Sequence, residues 1–355
     1  MTGLRLLWIG SYTSGSEPTG AGAGIYRVWF DPGTGELSGG EVVADTVGPS
    51  FLAAPLDGRR LYAVNEAQRG GVSGFAVDAG GRLSELGSAP TGGGSPCHLL
   101  AHSSGRYVVV ANYADGGVSV HPVTVGGAPG ERETLLAHSG SGPDRKRQEG
   151  PHAHCVRPAP GGRHLLVADL GTDELRCYAF GPDGVQAGAA VAARLPPGTG
   201  PRHLAVHPSG HIYVTGELDS RIHVLRWDPV TATATPVADT AATTVRGERN
   251  HPAEITLSAD GTRLYVSNRG PDTIAVFEVT ENGSVLRHLA ETPTGGGTPR
   301  HFALLEGRAG ERGHIVAANH DSDSLAVLEL QPGTGIPADT GHRLMIPAPA
   351  CVLPG

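Results

Sequence analysis

The chain has little of what several functional classes need. Only 17% of its 355 residues are charged, and the net charge is −8. A mildly acidic chain lacks the electrostatic footprint of a nucleic-acid binder, so no such partner is expected. No apolar run approaches the ~20 residues of a membrane-spanning helix, and no membrane partner is expected either. Residues 1–10 lack a charged start followed by an apolar stretch and a cleavage site, which argues against a secretory signal. There are four cysteines, Cys97, Cys155, Cys177 and Cys351, without metal or redox spacing. Three fall in or next to apolar strand patterns, where cysteine acts as a small buried hydrophobe. These features suggest a cytoplasmic chain with no cofactor and no bound metal. Helix signals are nearly missing as well, because 54 Gly and 28 Pro interrupt the sequence every few residues.

What the chain does have is repetition. A strand ending in a small or polar pair before a polar tip recurs seven times, with tips at Tyr12, Glu66, Tyr113, Leu170, Glu217, Arg269 and His320. Each copy is followed by a turn and a further apolar strand. Five are preceded by a strand such as Pro96-Cys97-His98-Leu99, Pro201-Arg202-His203-Leu204 or Pro299-Arg300-His301-Phe302, and Pro49-Ser50-Phe51-Leu52 is a sixth. The first copy has no such strand in front of it. The last residues, Pro349-Ala350-Cys351-Val352-Leu353-Pro354, have the missing form. Seven units of about 50 residues and four strands each describe an all-β, seven-bladed β-propeller, a single domain over 1–355. Its first blade is completed by the C-terminal strand, which leaves no open seam.

In a repeat protein the residues that break the consensus carry the information. The hairpin Gly200–Leu218 presents Arg202 at the start of one strand near Glu217 at the end of the next. Residues after the first-strand proline read Ser50, Cys97, Ala153, Arg202, Ala253, Arg300 and Ala350 around the ring. The next positions read Phe51, His98, His154, His203, Glu254, His301 and Cys351. All lie at one end of the inner strands, so one mouth of the channel collects Arg202, Arg269, Arg300, Glu217, Glu66 and several histidines. The repeated histidines His98, His154, His203 and His301 read as structural ties between blades. Asn65, Asn112, Asn268 and Asn319, each just before a tip, read as turn formers. The run Asp144-Arg145-Lys146-Arg147-Gln148-Glu149 reads as a solvated loop.

Clustered arginines suit a carboxylate or phosphate. A carboxylate beside them can act as a general base, while histidine and arginine hold a carbonyl oxygen as it becomes an oxyanion. That chemistry adds water to a lactone or ester. No Gly-x-Ser-x-Gly motif supports an acyl-enzyme. Zinc on His152, His154, His203 and His301 is disfavoured because the arginines repel a divalent cation.

Gly-Pro-Arg-His at 200–203, Gly-Glu-Leu at 216–218, Ser-Asn-Arg at 267–269 and Thr-Pro-Arg-His-Phe at 298–302 resemble the seven-bladed lactonase family, which includes cycloisomerase-type bacterial 6-phosphogluconolactonases and the fungal carboxy-cis,cis-muconate cyclase. The resemblance covers essentially the whole chain. It implies a catalytic set of His152, Arg202, Glu217 and Arg269, with His154 two residues from His152 as the other candidate histidine. Substrate contacts are expected from His154, Arg300, His203, His301 and Glu66. The expected reaction is metal-independent hydrolysis of a small anionic sugar lactone, 6-phosphoglucono-1,5-lactone above others, by a monomer or weak homodimer. A lactonising cycloisomerase and a non-catalytic binding propeller are the alternatives.

Overall fold

The computed structural model describes residues 3–186, 190–307 and 311–355. They form seven antiparallel sheets in which consecutive strands are neighbours, except that the C-terminal strand Pro349–Pro354 joins the first sheet and Ala190–Arg194 pairs with Glu174–Gly181 past the short strand Gly184–Val185. Helix among them is confined to two short 3-10 turns, Glu281–Gly283 and His320–Ser322. The chain divides into two compact units, Met1–Ala114 with Val118–Leu135 and Thr294–Gly355, and Asp115–Gly117 with Leu136–Pro293.

In the first unit, the C-terminal strand Pro349–Pro354 runs antiparallel to Arg5–Ser11, with Leu7 opposite Pro354 and Gly10 opposite Cys351. It supplies the first sheet with the strand that the N-terminus lacks, as the sequence predicts. The Pro49–Leu52 stretch leads into a strand of two residues, Leu52–Ala53, and the Phe51 carbonyl just before it accepts from the Val64 amide at 3.1 Å. Alternating apolar residues of neighbouring sheets form the cores. One gathers Leu61, Val64, Leu99, Val108 and Val110, another Leu7, Ile9, Val28, Val316 and Val327.

The second unit contains three sheets, whose first strands are Ala153–Pro158, Pro201–Val206 and His251–Leu257. Cys155, Leu166, Leu204, Val214 and Trp227 pack between the first two. Tyr213, Val224, Ile255, Leu264 and Phe277 pack between the second and third. Outer strands such as Thr233–Ala241 are mostly exposed, as expected where a sheet ends in water.

Pairing is irregular near the start of each of these three first strands, and this irregularity positions the polar cluster of the unit. Pro201 pairs with Gly216 and Leu204 with Val214, so Arg202 and His203 share a bulge. Register also shifts between Ala153 and Cys155 and between Pro252 and Ile255. A bulge bends the strand and re-aims its side chains. The side chains at these strand ends thus depart from simple alternation.

The asparagines before the tips do more than form turns. Asn65, Asn268 and Asn319 donate their side-chain amides to the Val47, Ala242 and Thr294 carbonyls at 2.9, 2.8 and 3.3 Å. Each thereby ties the end of a strand to a connection between strands. The bonds to Ala242 and Thr294 are buried, and leaving such a carbonyl without a partner costs about 1–3 kcal/mol.

Candidate active site

Glu217 is the centre of the second unit's polar cluster. It is 4% exposed, and its carboxylate meets three guanidiniums. Arg147 donates to Oε1 at 2.6 Å. Arg269 donates to Oε2 at 2.6 Å, and Arg202 Nε lies 3.0 Å from the same oxygen. Each partner comes from a different piece of chain. Arg202 sits in the bulge of its own sheet. Arg269 ends the strand Arg263–Arg269 of the next sheet, where its Nε also donates to the His251 carbonyl at 3.0 Å. Arg147 belongs to the long connection before Ala153.

Gly200 sets the hairpin's entry. It adopts φ +60°, where a side chain is strained, and an added Cβ would stand 2.5 Å from Leu218 Cγ. Its carbonyl accepts from the Glu217 amide at 2.9 Å. Its own amide donates to Asp173 Oδ1 at 2.8 Å. Asp173 Oδ1 also accepts from Gln148 Nε2 at 2.7 Å, and that nitrogen further donates to the Leu170 carbonyl at 2.9 Å. One buried carboxylate thus fixes both the Gly200 turn that carries Arg202 and the loop that carries Arg147.

The Asp144–Glu149 run is therefore not merely a solvated loop. Gln148 is fully buried, and Arg147 reaches into the cluster. No periodicity in this run marks the inward turn in advance.

Three cations surround one anion, which leaves an excess of positive charge. Burial opposes ionisation of Glu217. Arg269 and Arg202, with Arg147 beside them, outweigh burial and hold the carboxyl well below the usual carboxylate range. Arg202 is 4% exposed, and its Nη1 has no hydrogen-bond partner among the described residues. A buried guanidinium donor left over in a positively charged cluster is suited to an incoming oxygen.

The histidines divide into two kinds. His203 Nδ1 pairs with Glu254 Oε2 at 2.6 Å, with both side chains 3% exposed. That pair links the strands Pro201–Val206 and His251–Leu257, the structural tie the repeat suggests. His154 stacks edge-on against His203, with ring centroids 5.3 Å apart. Burial, then Arg202 and His203, hold its pKa well below the usual histidine value, so it is neutral. His152 precedes the strand and does not share a regular strand face with His154. Its amide donates to Asp169 Oδ1 at 2.8 Å, and its Nε2 lies 3.4 Å from the exposed Glu149. His251, which the repeat does not single out, brings Nδ1 to within 3.2 Å of the Glu217 carbonyl oxygen.

Glu66, Arg300 and His301 lie in the first unit, each with its own surroundings there. Ser50 donates a short hydrogen bond to Glu66. Arg300 lies over the Tyr12 ring at 5.0 Å. His301 Nδ1 accepts from the Val352 amide at 3.3 Å. Among the described residues no group of three or more His, Cys, Asp or Glu side chains is arranged to hold a metal ion. No helix among them is long and apolar enough to cross a membrane.

Glu254→Ala should lower stability by about 3 kcal/mol, since it leaves His203 buried without its carboxylate. Urea unfolding of Glu254→Ala, His203→Ala and the double variant checks this, and the two effects should be less than additive. Stability should also depend on pH through two other groups. Because the folded pKa of His154 is depressed, its contribution is fully present above its unfolded value of about 6.5 and is lost as pH falls below it. Glu217 contributes above about 4.3, and that contribution is lost as pH falls through its lower folded value. The urea midpoint should therefore decline in two stages on acidification, and His154→Gln should shrink the upper one.

Residues 6–354 match the family described as lactonase, 7-bladed beta-propeller. The chain is 31% identical to the 6-phosphogluconolactonase of Bacillus subtilis, over 97% of both sequences. A candidate 6-phosphogluconolactonase of Bacteroides fragilis superposes with a TM-score of 0.89 at 31% identity, covering 99% of this chain and 98% of that one. The periplasmic gluconolactonase of Pseudomonas aeruginosa gives a TM-score of 0.89 at 29% identity, covering 99% of both. The chain belongs to this family: it is a lactonase-type enzyme whose seven sheets are the blades of a β-propeller.

Proposed function

We propose that the chain hydrolyses an anionic sugar lactone at the Glu217 cluster, with 6-phosphoglucono-1,5-lactone as its substrate. The observation that carries this reading is the buried carboxylate among three arginines, one of which has an unused donor. The names of the Bacillus and Pseudomonas relatives support the substrate class.

In this mechanism Glu217 takes a proton from water as the water oxygen bonds to the lactone carbonyl carbon. The carbonyl π electrons move onto its oxygen, where Arg202 Nη1 and His152 hold the developing charge. Preorganised donors of this kind, in a site with little water, favour the oxyanion over the planar ester. The family resemblance assigns this task to His152; His154, equally buried and close enough to Arg202 and Glu217 for their charges to act on its ring, is the other candidate. When the tetrahedral intermediate collapses, the ring oxygen leaves with its bonding electrons. The proton held by Glu217 goes to that oxygen, and the open-chain hydroxy acid is formed. Arg269 keeps Glu217 oriented throughout. No acyl-enzyme forms.

Ring opening of 6-phosphoglucono-1,5-lactone followed by NMR, alongside cyclisation of a carboxymuconate, tests this reading. Acceleration of the first alone is expected. Acceleration of the second alone would transfer the same residues to a lactonising isomerase.

A further inference from the structure

The two oxygens of Glu217 are held in different ways. Oε2 is shared by Arg202 and Arg269, whose side chains are 4% and 13% exposed and stand on strands. Oε1 is held by Arg147, whose side chain is 34% exposed and extends from a loop. The backbone of that loop is fixed. The Gln148 side chain donates to the Leu170 carbonyl and to Asp173, and the Lys146 and Arg147 amides both donate to Asp144 Oδ1, at 2.9 and 3.2 Å. Arg147 can therefore leave Glu217 by side-chain rotation, with its backbone in place.

A base needs an available lone pair, and a carboxylate oxygen that accepts a guanidinium at 2.6 Å does not offer one in that direction. We propose that Arg147 caps the working oxygen of Glu217 in the resting enzyme, and that the phosphate of the substrate draws it away. Arg202 and Arg269 continue to hold Oε2, so Glu217 keeps its position while Oε1 turns to water. A dianionic phosphate is the stronger partner for a guanidinium, because it offers more charge and a bidentate edge. Arg147 thereby couples recognition of the phosphate to activation of the base. It is a specificity-determining residue that acts through Glu217. This role rests on the lactonase reading of the Glu217 cluster.

The test compares wild type, Arg147→Gln and Arg147→Lys on 6-phosphoglucono-1,5-lactone and on unphosphorylated glucono-1,5-lactone. In Arg147→Gln, kcat/KM for the phosphorylated lactone should fall by about tenfold or more, the worth of one charge-assisted hydrogen bond. Its kcat for the unphosphorylated lactone should rise about threefold, because the base is no longer capped. Arg147→Lys should fall between the two. In wild type, millimolar inorganic phosphate should accelerate hydrolysis of the unphosphorylated lactone, and in Arg147→Gln it should not. Equal losses on both lactones, or no change on either, would overturn the capping role. Glu217→Gln run in parallel separates the cap from the underlying chemistry. If it keeps the wild-type rate, the lactonase reading of the cluster fails. If it is inactive while Arg147→Gln slows both lactones alike, only the cap is wrong.

Discussion

Glu217→Gln is expected to lower kcat about 10³-fold, within the range a positioned general base contributes. KM should not rise, because the amide keeps the shape of the carboxylate and Arg147, no longer held by its charge, stays available to the substrate's phosphate. The same substitution should also cost stability. It leaves Arg202 and Arg269 buried around a neutral group, and losing the anion of such a cluster costs about 3 kcal/mol. Steady-state kinetics and urea unfolding on the one variant measure both. A loss of rate at unchanged stability would mean that the arginines do not depend on Glu217 for their compensation.

Arg202→Met should lower kcat by about 10² to 10³, the cost of removing one oxyanion donor. Methionine retains much of the apolar stem, so the loss reports the guanidinium rather than a cavity. Glu217 would lose one of its cations, and its pKa should move up toward the ordinary carboxylate value. The acid limb of kcat/KM should therefore shift to higher pH in Arg202→Met than in wild type. A variant with the wild-type rate and pH profile would remove Arg202 from the reaction.

Both effects arise from a tension in the cluster. The arginines that make it an anion site also make Glu217 a weak base, since a carboxylate held well below its usual range gives little driving force for taking a proton. A lactone carbonyl is a reactive electrophile that also opens unaided, so its hydrolysis requires less of the base than an amide's would. Release of Arg147 on substrate binding relieves the tension further, because it removes a cation and frees Oε1 together.

Much of the fold is legible in the chain itself. The repetition of strand endings specifies seven sheets, because each apolar strand must bury both faces and equivalent positions recur at a nearly constant interval. The Arg202–Glu217 pair is legible because one hairpin register fixes both residues, and Arg269 emerges from aligning the tips. Arg147 does not, because its loop has no periodicity and its position depends on Gln148 and Asp173 meeting across 25 residues of sequence. Alignment of equivalent positions also gives location without contacts. It names Glu66 and His301 as candidate substrate ligands but does not reveal that Glu66 accepts from Ser50 or that His301 accepts from the Val352 amide. The asparagines before the tips read as local turn formers because their long-range partners are backbone carbonyls, which leave no mark in a sequence.

The most direct test of Glu217 as the base is the rate of 6-phosphoglucono-1,5-lactone hydrolysis above the spontaneous background, measured with chelator present for wild type and Glu217→Gln. Clear acceleration by wild type and a rate near background for the variant are expected. Equal acceleration by both proteins would contradict the mechanism, because the carboxylate at the centre of the arginine cluster would then have no part in the chemistry.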